Sequence, residues 1–392
     1  MNFGQYSPAA GQVANARGCI SAGLDFEAIW PESETESFKL DIRLRSNHSS
    51  RAVIRQPLST AHMQHRNDYL NDEQVDGFIA YLSGVLSGHN RINFSAAFPR
   101  NRLPRHYEMQ CPGKVEREAT GSVYVIEAET LEQLFSFYWW NHRFYDGNKE
   151  EVDEVRSCVR SAILEEDTES GLELTLAACR SVMEWGFGRG TRANQSNVSW
   201  ASSQGASLIQ VVRNGREALS SDAPDLSVFN RNPDPSTHWS KMNSGWTKYY
   251  SFALPAHVIY DSRVGAALCY LVRRYLESTQ AKHHADSVPE SLAFRWAPGQ
   301  GERNTRDPSS GPYKFSRLTG GPAGSREWAR VNIQANWILS AAISQSGSTW
   351  CSGPDGFRRV EGALFMLGYD LSRVERAPTQ DDTEPANLSF QW

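Results

Sequence analysis

The chain has no two cysteines close enough to form a CxxC unit. Its six cysteines stand at 19, 111, 158, 179, 269 and 351. That spacing excludes a zinc ribbon and a local four-cysteine iron–sulfur loop. Scattered thiols in a long chain fit a reducing cytoplasm, where a buried cysteine serves as a small apolar residue. No apolar run approaches a membrane span. Met1 to Asn15 lacks the basic start and apolar stretch of a signal peptide, so a cytoplasmic location with no membrane contact is expected. Walker loop, GxSxG elbow and HExxH are all missing. There is no internal repeat. His62-x-x-His65 and His283-His284-x-Asp286 stand among ordinary polar residues and do not read as ligand sets. No metal and no cofactor are expected. Positive charge is not in excess, since the formal net charge is −5. A nucleic-acid role therefore needs a local basic surface on a mildly acidic body.

What the chain has in quantity is apolar and aromatic surface. Hydrophobic residues make up 40% of its 392 positions, enough for a large core. Its 12 tryptophans are many. Such rings fill cores, and they also stack on unpaired bases.

Along the chain the pattern divides. Residues 1–127 read as an α+β lobe with a small sheet. Ser37 to Leu44 alternates with period two, and Ser122 to Ile126 reads as a second strand. Between them Val75, Phe78, Ile79, Leu82 and Leu86 line one face of a helix. Residues 128–375 are helical in pattern. Leu131, Leu134, Phe135, Tyr138 and Trp139 form one amphipathic stripe. Val152, Val155, Val159 and Ile163 form a second, and Leu172, Leu176, Cys179 and Val182 a third. The polar stretch Gly186 to Ser207 reads as a long loop, with Trp185, Asn194, Gln195 and Trp200 as candidates for a base or sugar pocket. Residues 298–326 read as a Gly-, Pro- and Ser-rich loop before a helix that carries Trp328, Val331, Ala335, Ile338 and Leu339. A last helix covers Phe357 to Met366, and residues 376–392 form an acidic tail. The fold class is mainly α with an N-terminal α+β elaboration.

The most informative stretch runs from Trp246 to Val264. It reads as a helix, a break marked by Pro255, a short apolar approach, and a new helix with Val264, Ala267, Leu268, Leu271, Val272 and Tyr275 on its buried face. Asp261 stands where the N-cap of that second helix belongs. The run Val258-Ile259-Tyr260-Asp261-Ser262-Arg263-Val264 resembles the signature of the helix-hairpin-helix DNA glycosylases, roughly Val-Pro-Val-Asp-Thr-His-Val-x-Arg. Upstream, Thr247, Lys248 and Phe252 resemble the helix before the aspartate in the 8-oxoguanine glycosylase branch. The likeness covers roughly 40 residues. It differs from the family pattern in two places. The Gly-rich hairpin is reduced to Asn243-Ser244-Gly245, and the lysine-to-aspartate spacing is shorter, so Thr247 fits the family's lysine position as well as Lys248 does.

The resemblance implies a helix-hairpin-helix glycosylase-like helical core that works as a monomer on double-stranded DNA containing a modified base. Such an enzyme flips the nucleotide out and cleaves its N-glycosidic bond. Asp261 would be the catalytic carboxylate, stabilising the oxocarbenium charge and orienting water. Lys248 would be the catalytic amine in the glycosylase/lyase alternative. Trp246, Thr247, Arg263, Arg189, Arg192, Arg326 and Arg330 are the candidate DNA contacts, with Lys241 beside them. The expected substrate is a bulky modified cytosine in phage DNA, as in anti-phage defence by some members of this class, with 8-oxoguanine second. A non-catalytic DNA-binding protein on the same scaffold is the alternative from outside enzymology.

Overall fold

A computed structural model of the chain describes residues 63–119, 121–230, 238–283, 286–299, 306–320, 322–372 and 374. The expected strand at 37–44, the acidic tail, His62 and His284 lie outside them. Two helices open the described region, α1 (Arg66–Leu70) and α2 (Glu73–Leu86). Asp72 caps α2 through Oδ1, which accepts the amides of Gln74 and Val75 at 3.0 and 3.1 Å. The helix buries Val75, Phe78, Ile79, Leu82 and Leu86, the stripe expected from sequence. It packs along α11 (Pro322–Ser346).

A three-stranded antiparallel sheet follows, in the order β1 (Phe94–Pro99), β3 (Gly121–Ala128), β2 (Lys114–Glu118). β3 is central: Phe94 faces Ala128 on one side, and Lys114 faces Val125 on the other. A short helix, α3 (Arg105–Gln110), joins β1 to β2.

The rest is helical: α4 (Leu131–Ser136), α5 (Tyr145–Leu164), α6 (Glu169–Phe187), α7 (Arg192–Ser203), α8 (Leu208–Ser220), α9 (Ser244–Ala253), α10 (Ser262–His283), α11 and α12 (Gly356–Leu367). The described molecule is therefore mainly helical with one small sheet. One continuous buried cluster contains side chains from the sheet and from the helices alike.

Two sequence expectations need correction. The helix read through Trp139 ends at Ser136. Asn141 and His142 adopt φ values of 51° and 61°, and Trp140 and Arg143 exchange both backbone hydrogen bonds across them. The amides of Phe137 and Tyr138 bond back to Leu134 O and Phe135 O, which tightens and closes the helix before the Asn141-His142 turn reverses the chain. The stretch 186–207 is not a long loop. Thr191 Oγ1 accepts the amide of Asn194 at 3.2 Å and starts α7, whose buried face is made of Asn194, Asn197 and Ala201. A helix that buries asparagines carries too weak an apolar period to be seen in sequence.

At the centre lies α9, buried from Gly245 to Ala253 on every side and contacted by α5, α6, α7 and α8. Each large apolar side chain buried there stabilises the fold by roughly 1.5–3 kcal/mol. Among the described residues, no helix is long and apolar enough to cross a membrane.

Candidate active site

Asn243 caps α9. Its Oδ1 accepts the amides of Gly245 and Trp246 at 2.9 and 3.0 Å, and its Nδ2 donates to Asn197 Oδ1 at 3.0 Å. The stretch Asn243-Ser244-Gly245, matched in sequence to the family's hairpin, is thus a helix cap, with the Gly245 amide already bonded. At the other end Leu254 is extended and Pro255 follows. Ala256 has φ of 45°, a left-handed conformation that costs a side-chain-bearing residue about 1–2 kcal/mol. The chain then reverses toward α10.

The approach to α10 is pinned from two helices. From α11, Asn336 Oδ1 accepts the Val258 amide at 2.7 Å and Asn332 Nδ2 donates to Val258 O at 3.1 Å. His257 sits between those two asparagines, its Nε2 2.6 Å from Asn332 Oδ1. Burial pushes the His257 pKa down to about 3, against the Asn332 hydrogen bond, which favours the charged ring. From α12, the Arg358 guanidinium donates to Ser251 O and His257 O, each at 2.7 Å. Glu361 Oε2 accepts the Ile259 amide at 2.5 Å and an Arg358 N–H at 2.7 Å.

This framework fixes Asp261. Its Oδ1 accepts the amides of Arg263 and Val264 at 2.9 and 3.1 Å, the N-cap geometry expected from sequence. Asp261 also lines a cleft of about 730 Å³, open mouth included, between α5, α9, α12 and the start of α10. Lys248 lines the same cleft from α9. Its stem passes α6 at Gly186, where a Cβ would come within 2.5 Å of Lys248 Cδ. Lys248 Nζ donates to Ser244 O at 3.0 Å and lies 4.9 Å from the Phe187 ring centre. Burial lowers the lysine's pKa, opposed by the charges of Asp261 and Glu361.

The cleft walls are aromatic. Tyr138, Trp140, Tyr145, Trp185, Phe252 and Phe365 all line it. Trp140 and Phe365 meet edge to face at 5.4 Å, as do Trp185 and Phe252 at 5.2 Å. Buried Asn148 adds a carboxamide that donates to Tyr138 Oη at 3.0 Å. Lys149, Asp153, Arg156 and Asp355 also line the cleft; Lys149 bridges Asp153 on α5 and Asp355 at the start of α12. Apolar rings with a few placed polar groups are the composition of a small-molecule or base pocket.

The structure sorts the other residues singled out from sequence. Trp185 is in the cleft; Asn194, Gln195 and Trp200 do not line it. Asn194 is buried in the first turn of α7 and Gln195 is exposed. Trp200 packs edge-on against Trp246 at 4.7 Å, with Lys241 Nζ 5.6 Å from its ring. Trp246 and Thr247 are fully buried on α9, so neither side chain reaches a surface where a duplex would lie. Arg263 is partly buried, with its guanidinium carbon 4.0 Å from the Phe365 ring centre and 4.9 Å from that of Tyr369. Loss of water, and then the charge of Arg306, push its pKa down to about 10. Arg330 is engaged with Glu327 and Gln334, and Arg189 pairs with Glu184 at 3.3 Å. Arg192 is exposed at the start of α7, and Arg326 is half-buried on α11.

Sequence reasoning did not find Trp140, Asn148, Arg358 or Glu361. The only local signal was the Arg358–Glu361 spacing on one helix face. Among the described residues, no group of three or more His, Cys, Asp or Glu is placed to hold a metal ion. Cys111, Cys179, Cys269 and Cys351 are buried free thiols.

Neither the models of known protein families, nor the curated proteins, nor the solved structures contain a match to this chain.

Proposed function

We propose that this cleft is the active site of a DNA glycosylase that takes a flipped, modified base and hydrolyses its N-glycosidic bond. One observation carries the reading: Asp261 and Lys248, the two residues matched to the glycosylase signature, come from separate elements and line one aromatic-walled cleft. The aromatic walls suit the faces of an extruded base. Asp261 keeps Oδ2 without a hydrogen-bond partner among the described residues, while Oδ1 is anchored by two amides. A carboxylate held that way stabilises positive charge on the deoxyribose as the base departs.

The substrate we favour is a bulky modified cytosine, as in phage DNA, ahead of 8-oxoguanine. Support comes from the polar side of the cleft. Asn148, Lys149, Asp153, Arg156 and Asp355 supply donors and acceptors that a sugar appended to a base can use, while the rings cover its apolar face. Incubation with duplexes carrying glucosylated hydroxymethylcytosine, hydroxymethylcytosine or 8-oxoguanine, scored for abasic sites, tests this. Release from the glucosylated duplex is the expected result. Release from 8-oxoguanine alone removes the cytosine reading, and release from none removes the glycosylase reading in favour of a non-catalytic DNA-binding protein.

A second reading rests on Lys248. Its buried amine, with lowered proton affinity, suits direct attack on C1′ followed by strand cleavage. The hydrogen bond to Ser244 O, which directs the amine back along its own helix, favours hydrolysis instead.

A further inference from the structure

Both carboxylates near the start of α10 are held in the same way. Asp261 spends Oδ1 on two backbone amides; Glu361 spends Oε2 on the Ile259 amide and on Arg358. In each, the second oxygen accepts no hydrogen bond from the described residues, and each residue lines the cleft. Ile259 links the two. Glu361 grips Ile259, and a hydrogen bond of 3.0 Å from the Asp261 amide to Ile259 O folds the chain between them. Glu361 reaches the cleft from α12, with only 13% of its side chain exposed. A counter-ion for Arg358 would need neither the cleft position nor the unengaged oxygen.

We propose that Glu361 is a second catalytic carboxylate, the base that takes a proton from the attacking water, while Asp261 stabilises the oxocarbenium ion. This rests on the glycosylase reading and divides its chemistry between two residues. The water O–H bond breaks and its proton passes to the free Oε1 of Glu361. The water oxygen forms the C1′–O bond as the C1′–N bond breaks, and that bonding pair leaves with the base nitrogen. The base nitrogen then takes up a proton from solvent, and Glu361 returns its own to solvent. Two carboxyl groups with separate duties are the usual arrangement in enzymes that hydrolyse O-glycosidic bonds, whose transition state has the same oxocarbenium character.

The test uses the full chain on the best substrate found above. Glu361→Gln keeps an oxygen for the Ile259 amide and keeps the side-chain volume, but cannot accept a proton. It is expected to lower the single-turnover rate at least 100-fold with DNA affinity retained, with some loss of melting temperature because Arg358 loses its counter-charge, and to remove the acidic limb of the pH–rate profile. Glu361→Ala is expected to regain rate when formate is added, because a small carboxylate can enter the vacated space. A wild-type rate and an unchanged acidic limb in Glu361→Gln overturn the assignment while leaving the glycosylase reading intact. Failure of formate to raise the rate of a folded Glu361→Ala protein counts against it in the same way. No base release by the wild-type protein overturns the reading and the assignment together.

Discussion

On the proposed glycosylase reading the two oxygens of Asp261 have different duties, and a substitution can separate them. Oδ1 caps α10, and asparagine caps a helix about as well as aspartate does. Asp261→Asn is therefore expected to melt within a few degrees of wild type and to bind DNA normally. Base release should fall at least about 100-fold, the loss typical when one electrostatic stabiliser is removed. Abasic-site formation measured beside a thermal melt decides it. Collapse of the fold would reduce Asp261 to a cap, and undiminished release would take it out of the mechanism. Lys248 gives the complementary expectation. With its amine bonded to Ser244 O, borohydride should trap no substantial DNA adduct. A strong adduct that disappears in Lys248→Gln would transfer the reaction to the amine.

Between elements, the position of Lys248 depends on how closely α6 passes α9. Gly186 lets the lysine stem through, and an alanine Cβ would stand 2.5 Å from Cδ and 2.8 Å from Cε. Alanine in a helix interior gains about 1 kcal/mol over glycine, whereas overpacking a filled interior costs typically 1–3 kcal/mol. Gly186→Ala should therefore shift stability by no more than about 2 kcal/mol in a urea titration. Base release should drop by up to about 100-fold as the lysine is displaced, the loss that a misplacement of about 1 Å can cause. Full activity with the stability lowered would make the lysine a packing residue. The close approach itself was not legible in sequence, because Gly186 and Lys248 lie 62 positions apart, counting from 186 to 248. What was legible were the elements with strong local signals: the stripes of α2, α5 and α6, and the cap–helix pair around Asp261. The short α4 and the asparagine-faced α7 were misread, since Tyr138 stays buried after the helix has ended at Ser136, and a polar buried face carries no apolar period. Half of the candidate site was hidden for a similar reason. Trp140, Asn148 and Glu361 meet Asp261 only after α5 and α12 have packed.

At the scale of the whole molecule, the described residues share one core, and the segment carrying Asp261 is tied to distant parts of the chain at His257. Its ring is held between Asn332 and Asn336 of α11, while its carbonyl accepts from Arg358 of α12. The bond to Asn332 Oδ1 requires a proton on Nε2, which leaves Nδ1 to accept from Asn336. The folded protein thus needs a neutral ring, and burial holds its pKa at about 3, below the ordinary imidazole value of about 6.5. In the unfolded chain the ring regains ordinary proton affinity, so below pH 6.5 the unfolded state binds the extra proton. The stabilisation is complete above about pH 6.5 and is lost as pH falls toward 3, by up to about 1.4 kcal/mol per unit. Between pH 7.5 and 5.5 the wild-type protein should lose about 1.4 kcal/mol of stability more than a His257→Gln variant does. Glutamine keeps a donor and an acceptor for the two asparagines but does not titrate. The comparison is best made by urea unfolding at the two pH values, above the range where most carboxylates titrate. A variant that loses as much stability as wild type over that interval would mean that protons released elsewhere set the acid limit of the fold. A variant already unfolded at pH 7.5 would show that the imidazole shape, more than its neutrality, holds the Asp261 segment against α11.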